Sequence, residues 1–442
     1  MKIPMTSKIF EGAYTISPMN GAAMMPWVQF GSRTEYLCCR TSAWLGVNLC
    51  MSPVFDIKGP DAAKFLNQTC VNPNFDKMKT GQSKHGIICN EQGHMLADGV
   101  IMKKDDCYRT YWLAPCIQYF MFASGLDVQG EYVDDEYFYQ IDGPKSLEIL
   151  EEACECNLHD IKFAKNKTVT CCGHEMTVHR LGMSGALAYE VHGSADTAEE
   201  VYCKLLEVTK KYGGMPLGSY NYSILNHTPG GYPNQLQHYP YALLTSGEQL
   251  ADFAKKYCML FPLRGSAMND PLYCEVSPYD VGWGNRINFN HDFMGKEALM
   301  KIKEEGRIRK AVTLEWNTED VGDVFMSQFR GQEEEPYDQI DCISALDSYE
   351  TFGIHCDHVE KDGEKIGFAS GRTYAFYERR MISLAFIDPK YAEEGTEVEV
   401  IWGEPGHRVK RIRATVARFP YYNGEYRNET CDVDALIPKK YE

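Results

Sequence analysis

The stretch Leu181–Gly193, which reads LGMSGALAYEVHG, decides how the rest of this chain is interpreted. Its glycines bracket a β-prone run from Ala188 to His192, which predicts a tight turn that enters a short strand. One carboxylate, Glu190, lies on that strand. An ionised carboxylate is rarely buried without donors that satisfy it. Glu190 is therefore either the solvent side of a half-buried strand or a group that binds a ligand.

The composition indicates a globular protein of more than one domain. A chain of 442 residues exceeds what one hydrophobic core supports, and 44% of its residues are hydrophobic. The formal charge of -17 disfavours a nucleic-acid partner, because such a partner requires a clustered basic surface. No run approaches the length of a membrane span, and the first thirty residues lack the apolar core of a signal peptide. We therefore expect no membrane partner and a cytoplasmic location.

The seventeen cysteines do not form a ligand pattern. Their number is odd, several are adjacent, and no Cys-x-x-Cys spacing occurs, so zinc and iron-sulfur signatures are missing. The group His355-Cys-Asp-His358 has no matching second pair and is more typical of a solvated segment than of a metal site. The sequence predicts free thiols in a reducing compartment and no bound metal.

A repeated pattern of strand, Gly-Pro turn and helix organises the first part of the chain. Val54–Ile57 precedes the first Gly-Pro turn and a helix over residues 61–67, and Phe138–Ile141 precedes the second turn and a helix over residues 145–152. Two such copies predict a duplicated α+β unit. Before the first copy, residues 33–45 are expected to form a helix.

A hairpin lies between the two copies. Strands over residues 85–90 and 94–102 flank the turn Glu91-Gln-Gly93, and Asp98 lies inside the second strand. Aspartate is disfavoured in strand interiors, and such local violations tend to occur at functional sites. Asp98 is therefore a candidate for chemistry, with a bulge or an edge position as the structural alternative.

A long segment over residues 213–240 has the composition of a loop. It contains many glycines and prolines and also several aromatic and imidazole side chains, among them Tyr220, Tyr222, His227 and His238. Long irregular segments in a compact domain are usually functional or disordered, and the tyrosines favour order.

Four motifs, taken in order and spacing, resemble the aminomethyltransferase superfamily, whose type member is the glycine-cleavage T-protein. They are Ile57–Leu66, the hairpin Asn90–Gly93 with Asp98, the Tyr189-Glu190 strand, and Asp292–Leu299. The resemblance covers nearly the whole chain and implies an α+β fold with duplicated folate-binding domains followed by a C-terminal β-barrel. We expect domains over residues 1–140, 141–308 and 309–442.

Within this superfamily the chain is most similar to the tetrahydrofolate-dependent aryl O-demethylases of the vanillate and syringate type. The motifs that carry this similarity are His94–Gly99, Arg180–Ala186, Pro278–Gly284, Asn290–Gly295, Val312–Asn317 and Ile401–Glu404. The resemblance implies an enzyme that passes a methyl group from a small methoxy donor to tetrahydrofolate. Methyl transfer from oxygen to nitrogen is an in-line displacement that needs alignment and acids, not a metal.

The resemblance also implies roles for individual residues. Glu190 matches the acid that holds the pterin ring, since a carboxylate can accept two parallel N–H bonds from it. Asp98 matches the second acid, near the folate nitrogen and the donor. Tyr189 and Trp283 are expected to line the pterin site. The groups that bind the folate tail are sought at Tyr377, Arg379 and Arg380, because glutamates need cationic partners. A solvated barrel rim is the alternative for the two arginines.

The chain departs from the demethylases where their polar groups bind the donor. Apolar residues replace those groups, at Ile16, Met51, Leu113 and Leu244. We therefore expect an uncharged donor, because a carboxylate buried there would stay unpaired. The leaving-group acid would then come from the loop, at Tyr220, Tyr222, His227 or His238.

Two alternatives remain open at this point. One is a folate-binding protein without transferase activity. The other is an enzyme of the same fold with a different donor, such as a methylamine, a sulfonium or the aminomethyl group of glycine cleavage. Aminomethyl transfer is disfavoured, because the T-protein arginine expected at Tyr220 and the acid expected near Thr228 are missing.

Overall fold

The computed structural model describes residues 3, 6–19, 23–219, 221–235, 237–258, 263–271, 275–306, 308–340 and 354–442. The strands in chain order are β1 Thr15–Met19, β2 Ala23–Val28, β3 Trp44–Gly46, β4 Val54–Lys58, β5 Ser83–Cys89, β6 Met95–Lys103, β7 Tyr108–Tyr111, β8 Gln129–Tyr132, β9 Glu136–Asp142, β10 Asn166–Cys171, β11 His174–His179, β12 Ala188–Ser194, β13 Met215–Leu217, β14 Leu263–Arg264, β15 Lys310–Trp316, β16 Ile354–Lys361, β17 Glu364–Ala375, β18 Arg380–Ile387, β19 Glu397–Trp402 and β20 Lys410–Ala417. The α-helices are α1 Ser32–Thr41, α2 Ala62–Thr69, α3 Cys116–Ala123, α4 Ser146–Cys154, α5 Ala198–Lys211, α6 His227–Gly230, α7 Glu248–Tyr257, α8 Lys296–Glu305, α9 Thr318–Ser327 and α10 Val433–Leu436.

The two copies of the repeat lie in two different sheets. The first copy, β4 with α2, belongs to a five-stranded sheet of order β5-β6-β7-β4-β8. The second, β9 with α4, belongs to a six-stranded sheet of order β10-β11-β12-β9-β3-β13. The predicted duplicated α+β architecture is thereby confirmed.

The Gly-Pro turn of each copy requires its glycine. Gly59 has a φ of 115° and Gly143 a φ of 134°, a backbone region that other residues rarely adopt. A Cβ on Gly59 would also lie 2.7 Å from the carbonyl oxygen of Asp127, and one on Gly143 would collide with the carbonyl oxygen of Ser42. The glycines therefore let each strand turn directly into its helix against neighbouring backbone.

The C-terminal part forms the predicted β-barrel. Its strands follow the order β16-β17-β18-β15-β20-β19, and a further pairing of β16 with β19 closes the ring. A separate hydrophobic core that includes Leu314, Val400 and Trp402 fills it. The barrel prediction is confirmed.

One expected domain limit falls between two secondary-structure elements, and the other falls inside a strand. The limit between residues 308 and 309 falls between the end of α8 and the start of β15. The limit between 140 and 141 falls inside β9, whose neighbour β3 comes from the first forty-six residues. The six-stranded sheet thus draws strands from both sides of that limit.

The helix expected over residues 33–45 ends earlier, at Thr41. Trp44–Gly46 instead forms β3, which pairs with β9 and β13. Sheet pairing overrides the helical pattern there because Trp44 and Leu45 are fully buried between neighbouring strands. In the part of the chain that the structure describes, no helix has the length and apolar character of a membrane span.

Candidate active site

Glu190 lies at the centre of the six-stranded sheet. It pairs with His179 on β11 and with Gln140 on β9. It is only 5% exposed, which excludes the solvent-facing alternative. Its Oε2 lies 3.4 Å from His179 Nδ1 and 3.9 Å from His192 Nε2, yet neither nitrogen makes a hydrogen bond within the described chain. Glu190 is therefore a buried carboxylate without a donor, and a ligand with N–H groups would satisfy it.

A network of hydrogen bonds and ion pairs holds His192 in place. His192 Nδ1 donates to Glu136 Oε1 at 3.0 Å, and the Tyr111 hydroxyl donates to the same oxygen at 2.9 Å. Arg109 pairs with Glu136 and also donates to both oxygens of Asp56 at 2.8 Å. Burial alone would raise the pKa of Glu136, but the hydrogen bond from His192 and the nearby charges lower it to about 2. Glu136 is thus an ionised group that fixes His192.

The low pKa of Glu136 predicts a pH dependence of stability. The ordinary value of 4.5 falls to about 2 in the folded protein, so ionisation favours folding. This contribution, about 3 kcal/mol, is complete above the ordinary pKa and is lost as the pH falls toward 2. We expect the difference in melting temperature between the wild type and Glu136→Gln to shrink from pH 6 to pH 3. A constant difference across this range would contradict the assignment.

The same face of the sheet carries other unsatisfied polar atoms. Side chains at alternate positions of β9 share this face, which places Gln140 and Asp142 beside Glu190. Gln140 Oε1 and Asp142 Oδ2 are buried and have no hydrogen-bond partner among the described residues. Burial raises the pKa of Asp142 to about 7. Buried polar groups are normally paired, so this row indicates a surface that is completed by a ligand.

Asp98 lies in the neighbouring five-stranded sheet. It is on β6, as predicted, directly across from Ile87 on β5. His85 Nε2 lies 2.9 Å from Asp98 Oδ2, and the two side chains are 22% and 19% exposed. The Trp283 ring meets the His85 ring edge-on at a centroid distance of 4.7 Å. Asp98, His85 and Trp283 therefore form one partly accessible group.

Strand β5 connects the two acids. Ser83 and His85 are two residues apart and so face the same side of the strand. Ser83 Oγ lies 2.9 Å from His179 Nε2, on the far side of the ring from Glu190. His85 contacts Asp98. The contacts thus run from Glu190 through one strand to Asp98, and a continuous cavity between them stays a prediction.

The histidines of the loop have structural partners. His227 Nδ1 donates to the carbonyl oxygen of Tyr232 at 3.1 Å, and burial lowers the pKa of His227 to about 4. His238 Nδ1 accepts from the backbone N–H of Asn234, and its Nε2 lies 3.0 Å from Thr228 Oγ1. Burial also lowers the pKa of His238 well below its ordinary value. These geometries hold the loop together and give neither ring the protonated form that the expected leaving-group acid would need.

Of the two loop tyrosines, Tyr222 lies near the site and Tyr220 lies outside the described residues. Tyr222 is buried and meets Trp44 and His227 edge-on. Burial raises the pKa of Tyr222 well above its ordinary value, and the charge of Glu190 raises it further, which places this ring near the site.

Tyr189 is fully buried on the opposite face of β12 from Glu190, because neighbouring residues of a strand alternate. It therefore does not share the surface that carries the carboxylate. Tyr377, Arg379 and Arg380 are exposed at the tip between β17 and β18. Glu378, the residue after Tyr377, accepts a hydrogen bond from the Tyr36 hydroxyl of α1, so this tip reaches helix α1. A role of the tip in holding the folate tail stays a prediction.

The four apolar positions do not form one group. Met51 is buried, and Ile16 packs against the same core. Leu113 is buried in the core of the five-stranded sheet, and a Cβ on Gly99, next to Asp98, would lie 3.1 Å from its Cγ. Leu244 is 49% exposed. Leu113 is thus close to the neighbour of Asp98. Met51 and Ile16 belong to the core that contains Tyr222, and Leu244 lies on the surface.

Sequence reasoning missed four polar residues of this site, namely His85, Glu136, His179 and His192. The spacing of Glu190 and His192 was a usable signal, since alternate strand residues share a face. The other three are brought in by strand pairing and by the contact between the sheets.

Comparison with known proteins identifies the family of this chain. The family model described as the GCVT N-terminal domain matches residues 24–227. Sesamin methylene transferase from Sinomonas sp. (strain No.22) is 42% identical over 98% of this chain and 97% of its own length. Syringate O-demethylase from Sphingobium sp. (strain NBRC 103272 / SYK-6) is 29% identical over 83% of each chain.

The more distant matches support the fold. The aminomethyltransferase of Thermoanaerobacter pseudethanolicus (strain ATCC 33223 / 39E) is 24% identical over 84% of each chain. The crystal structure of glycine cleavage system aminomethyltransferase T from Bartonella henselae superposes with a TM-score of 0.62 at 16% identity, covering 94% of this chain and 96% of that one. The protein is a tetrahydrofolate-dependent enzyme of the methyltransferase and O-demethylase class. As the sequence motifs predicted, the chain belongs to the aminomethyltransferase (glycine-cleavage T-protein) superfamily.

Proposed function

We propose that this enzyme transfers a one-carbon group from an uncharged aryl ether to tetrahydrofolate, as a step in the breakdown of aromatic compounds. The observation that carries the proposal is Glu190, a 5% exposed carboxylate with no hydrogen-bond donor in the described chain. The 2-amino-4-oxo pterin ring presents parallel N–H groups that match a carboxylate in two places. The site therefore fits the cofactor of the family.

The donor class is inferred from the remaining surface. Leu113 is an apolar side chain close to Gly99, the neighbour of Asp98, and offers no group that would pair with a ligand carboxylate. The 42% identical relative is named for sesamin. Sesamin is an uncharged aryl compound in which a methylene group bridges two oxygens. We therefore include both methoxy and methylenedioxy groups in the donor class. The family's aminomethyl donor receives no support, because Thr228 is engaged with His238 and with the carbonyl oxygen of Gly371.

Each polar residue of the site has a separate role in the proposed transfer. When bound, tetrahydrofolate would supply the nucleophilic nitrogens: a methoxy donor exchanges one carbon-oxygen bond for one carbon-nitrogen bond, and a methylenedioxy donor exchanges two. Glu190 holds the pterin ring. His179 lies between this carboxylate and Ser83 of β5 and fixes its position. His85 delivers a proton to the departing aryl oxygen, and Asp98 orients its ring and stabilises its charge. Trp283, against the His85 ring, limits the access of water.

A cytoplasmic location is part of the proposal. The cysteines in the described part of the chain are free thiols, and most of them are buried. Free thiols in this number suit a reducing compartment.

A donor panel tests the proposed reaction. Purified enzyme is incubated with tetrahydrofolate and matched sets of neutral methoxy-aryl, neutral methylenedioxy-aryl and methoxybenzoate compounds. We expect turnover of the neutral sets, with one phenol and 5-methyltetrahydrofolate from each methoxy group, or a catechol and 5,10-methylenetetrahydrofolate from each methylenedioxy group. Chromatography of both products measures it.

Turnover of benzoates alone would contradict the proposal. That result would instead point to Arg40, whose buried guanidinium lies over the Tyr422 ring at 4.0 Å. Its Nε and Nη2 have no hydrogen-bond partner among the residues that the structure describes. An Arg40→Lys variant would then be the next comparison.

A further inference from the structure

The buried group of His179, Glu190 and His192 has a second property besides its fit to a pterin. Each residue offers one ligand atom, and these atoms all lie within 4.8 Å of one another. All three side chains are buried. The group therefore presents two imidazole nitrogens and one carboxylate to a single point inside the protein.

The outer partners of both rings leave the inner nitrogens available. His192 Nδ1 lies 3.0 Å from Glu136 Oε1 and donates to this carboxylate, which leaves Nε2 to face Glu190. His179 uses Nε2 toward Ser83 Oγ and turns Nδ1 toward Glu190. Carboxylate or hydroxyl partners on the outer nitrogen are the arrangement that orients histidine ligands of metal ions. Neither inner nitrogen has a hydrogen-bond partner in the described chain.

The distances suit a small divalent ion. Bonds of about 2.0–2.1 Å from Zn²⁺ to nitrogen and oxygen place tetrahedral ligand atoms about 3.4 Å apart. Glu190 Oε2 lies 3.4 Å from His179 Nδ1 already, and 3.9 Å from His192 Nε2. A shift of about half an ångström would bring His192 Nε2 to the same distance from Glu190 Oε2. Two imidazoles and one carboxylate form a ligand set that zinc accepts, with an open fourth position.

We propose that His179, Glu190 and His192 form a binding site for a divalent transition metal ion, with Zn²⁺ as the matching ion. An ion there occupies the Glu190 carboxylate, so the ion and the pterin exclude each other. This exclusion rests on the proposed function, whereas the metal site itself rests on the three side chains. The site would make the enzyme sensitive to free zinc whenever folate is scarce.

The test must separate this group from the chain's other candidate ligands. Cys172, His174 and Glu200 also place three ligand atoms together, at the surface. The reference protein is therefore the full chain with Cys172→Ser and His174→Asn, stripped with a chelator. Zn²⁺ affinity is measured by competition with a chromophoric chelator, and melting temperature confirms that each variant is folded.

We expect His179→Asn and His192→Asn each to weaken Zn²⁺ binding by at least about tenfold. Removing only the hydrogen-bond partner of a metal ligand already causes a loss of that size. Glu136→Gln is expected to weaken it by about 10- to 100-fold. His407→Asn, an exposed histidine of the barrel region that pairs with Asp338, serves as the matched control and should leave the affinity unchanged. Unchanged affinity in both the His179 and His192 variants would overturn the site.

Competition is measured separately, on the same reference protein. Tetrahydrofolate affinity is first determined in the zinc-free protein, and saturating Zn²⁺ is expected to weaken it in proportion to the free ion concentration. Tetrahydrofolate affinity that Zn²⁺ leaves unchanged would overturn the exclusion. Absence of tetrahydrofolate binding in the zinc-free protein would count against the proposed function, while the zinc titration would still decide the metal site.

Discussion

Replacing Asp98 with asparagine is expected to lower kcat by about 10²- to 10⁴-fold, the usual contribution of a positioned acid or base. Asp98 Oδ2 lies 2.9 Å from His85 Nε2, so the carboxylate orients the ring. Asparagine keeps the size of the side chain but removes the charge. Steady-state turnover of a neutral aryl ether measures kcat, and calorimetry measures the affinity for tetrahydrofolate, which should change by no more than about threefold.

Two further variants make this prediction specific. His85→Asn should cause a comparable loss, and the double variant should be little worse than either single one, because residues that act as a unit are not additive. Asp105→Asn, an exposed aspartate in the turn after β6, is the matched control and should keep wild-type turnover. A kcat of Asp98→Asn close to that of the control would show that Asp98 takes no part in the chemistry.

Replacing Glu190 with glutamine is expected to weaken tetrahydrofolate binding by about 2 to 5 kcal/mol, which is roughly 30-fold or more. The carboxylate is buried, and the amide that replaces it offers an NH₂ group where the pterin also presents N–H donors. The loss should therefore appear in affinity, and turnover should fall with it at limiting folate. Calorimetric or fluorescence titration with tetrahydrofolate measures the change.

Glu175→Gln is the control for this variant, because Glu175 lies on β11 of the same sheet but is exposed. Wild-type affinity in Glu190→Gln would remove the basis of the pterin assignment. The Asp98→Asn and Glu190→Gln variants also distinguish a transferase from a silent folate-binding protein. In a transferase, Asp98→Asn lowers turnover and keeps folate binding, and Glu190→Gln lowers both. A silent binder shows no turnover even in the wild type.

The sequence identified the parts of the fold that depend on local rules. The two Gly-Pro turns were recognised from the glycine and proline between each strand and its helix, and the structure gives Gly59 and Gly143 a positive φ that other residues rarely adopt. The hairpin around Asp98 followed from its turn residues and alternation, and the structure places it at β5 and β6. The motifs that resemble the superfamily correctly indicated the family and the cofactor, and they predict the two acids Glu190 and Asp98.

The tertiary structure alone decided which side chains surround those acids. The neighbours of Glu190, His179 on β11 and Glu136 beneath His192, come from strand register and from contacts between residues far apart in the chain. The same non-local packing turned Trp44 from a predicted helix into a strand, engaged His238 in a structural hydrogen bond and left Leu244 at the surface. Turn chemistry and strand alternation act over a few residues and can be read from the sequence, whereas register and the packing of sheets depend on the whole chain at once.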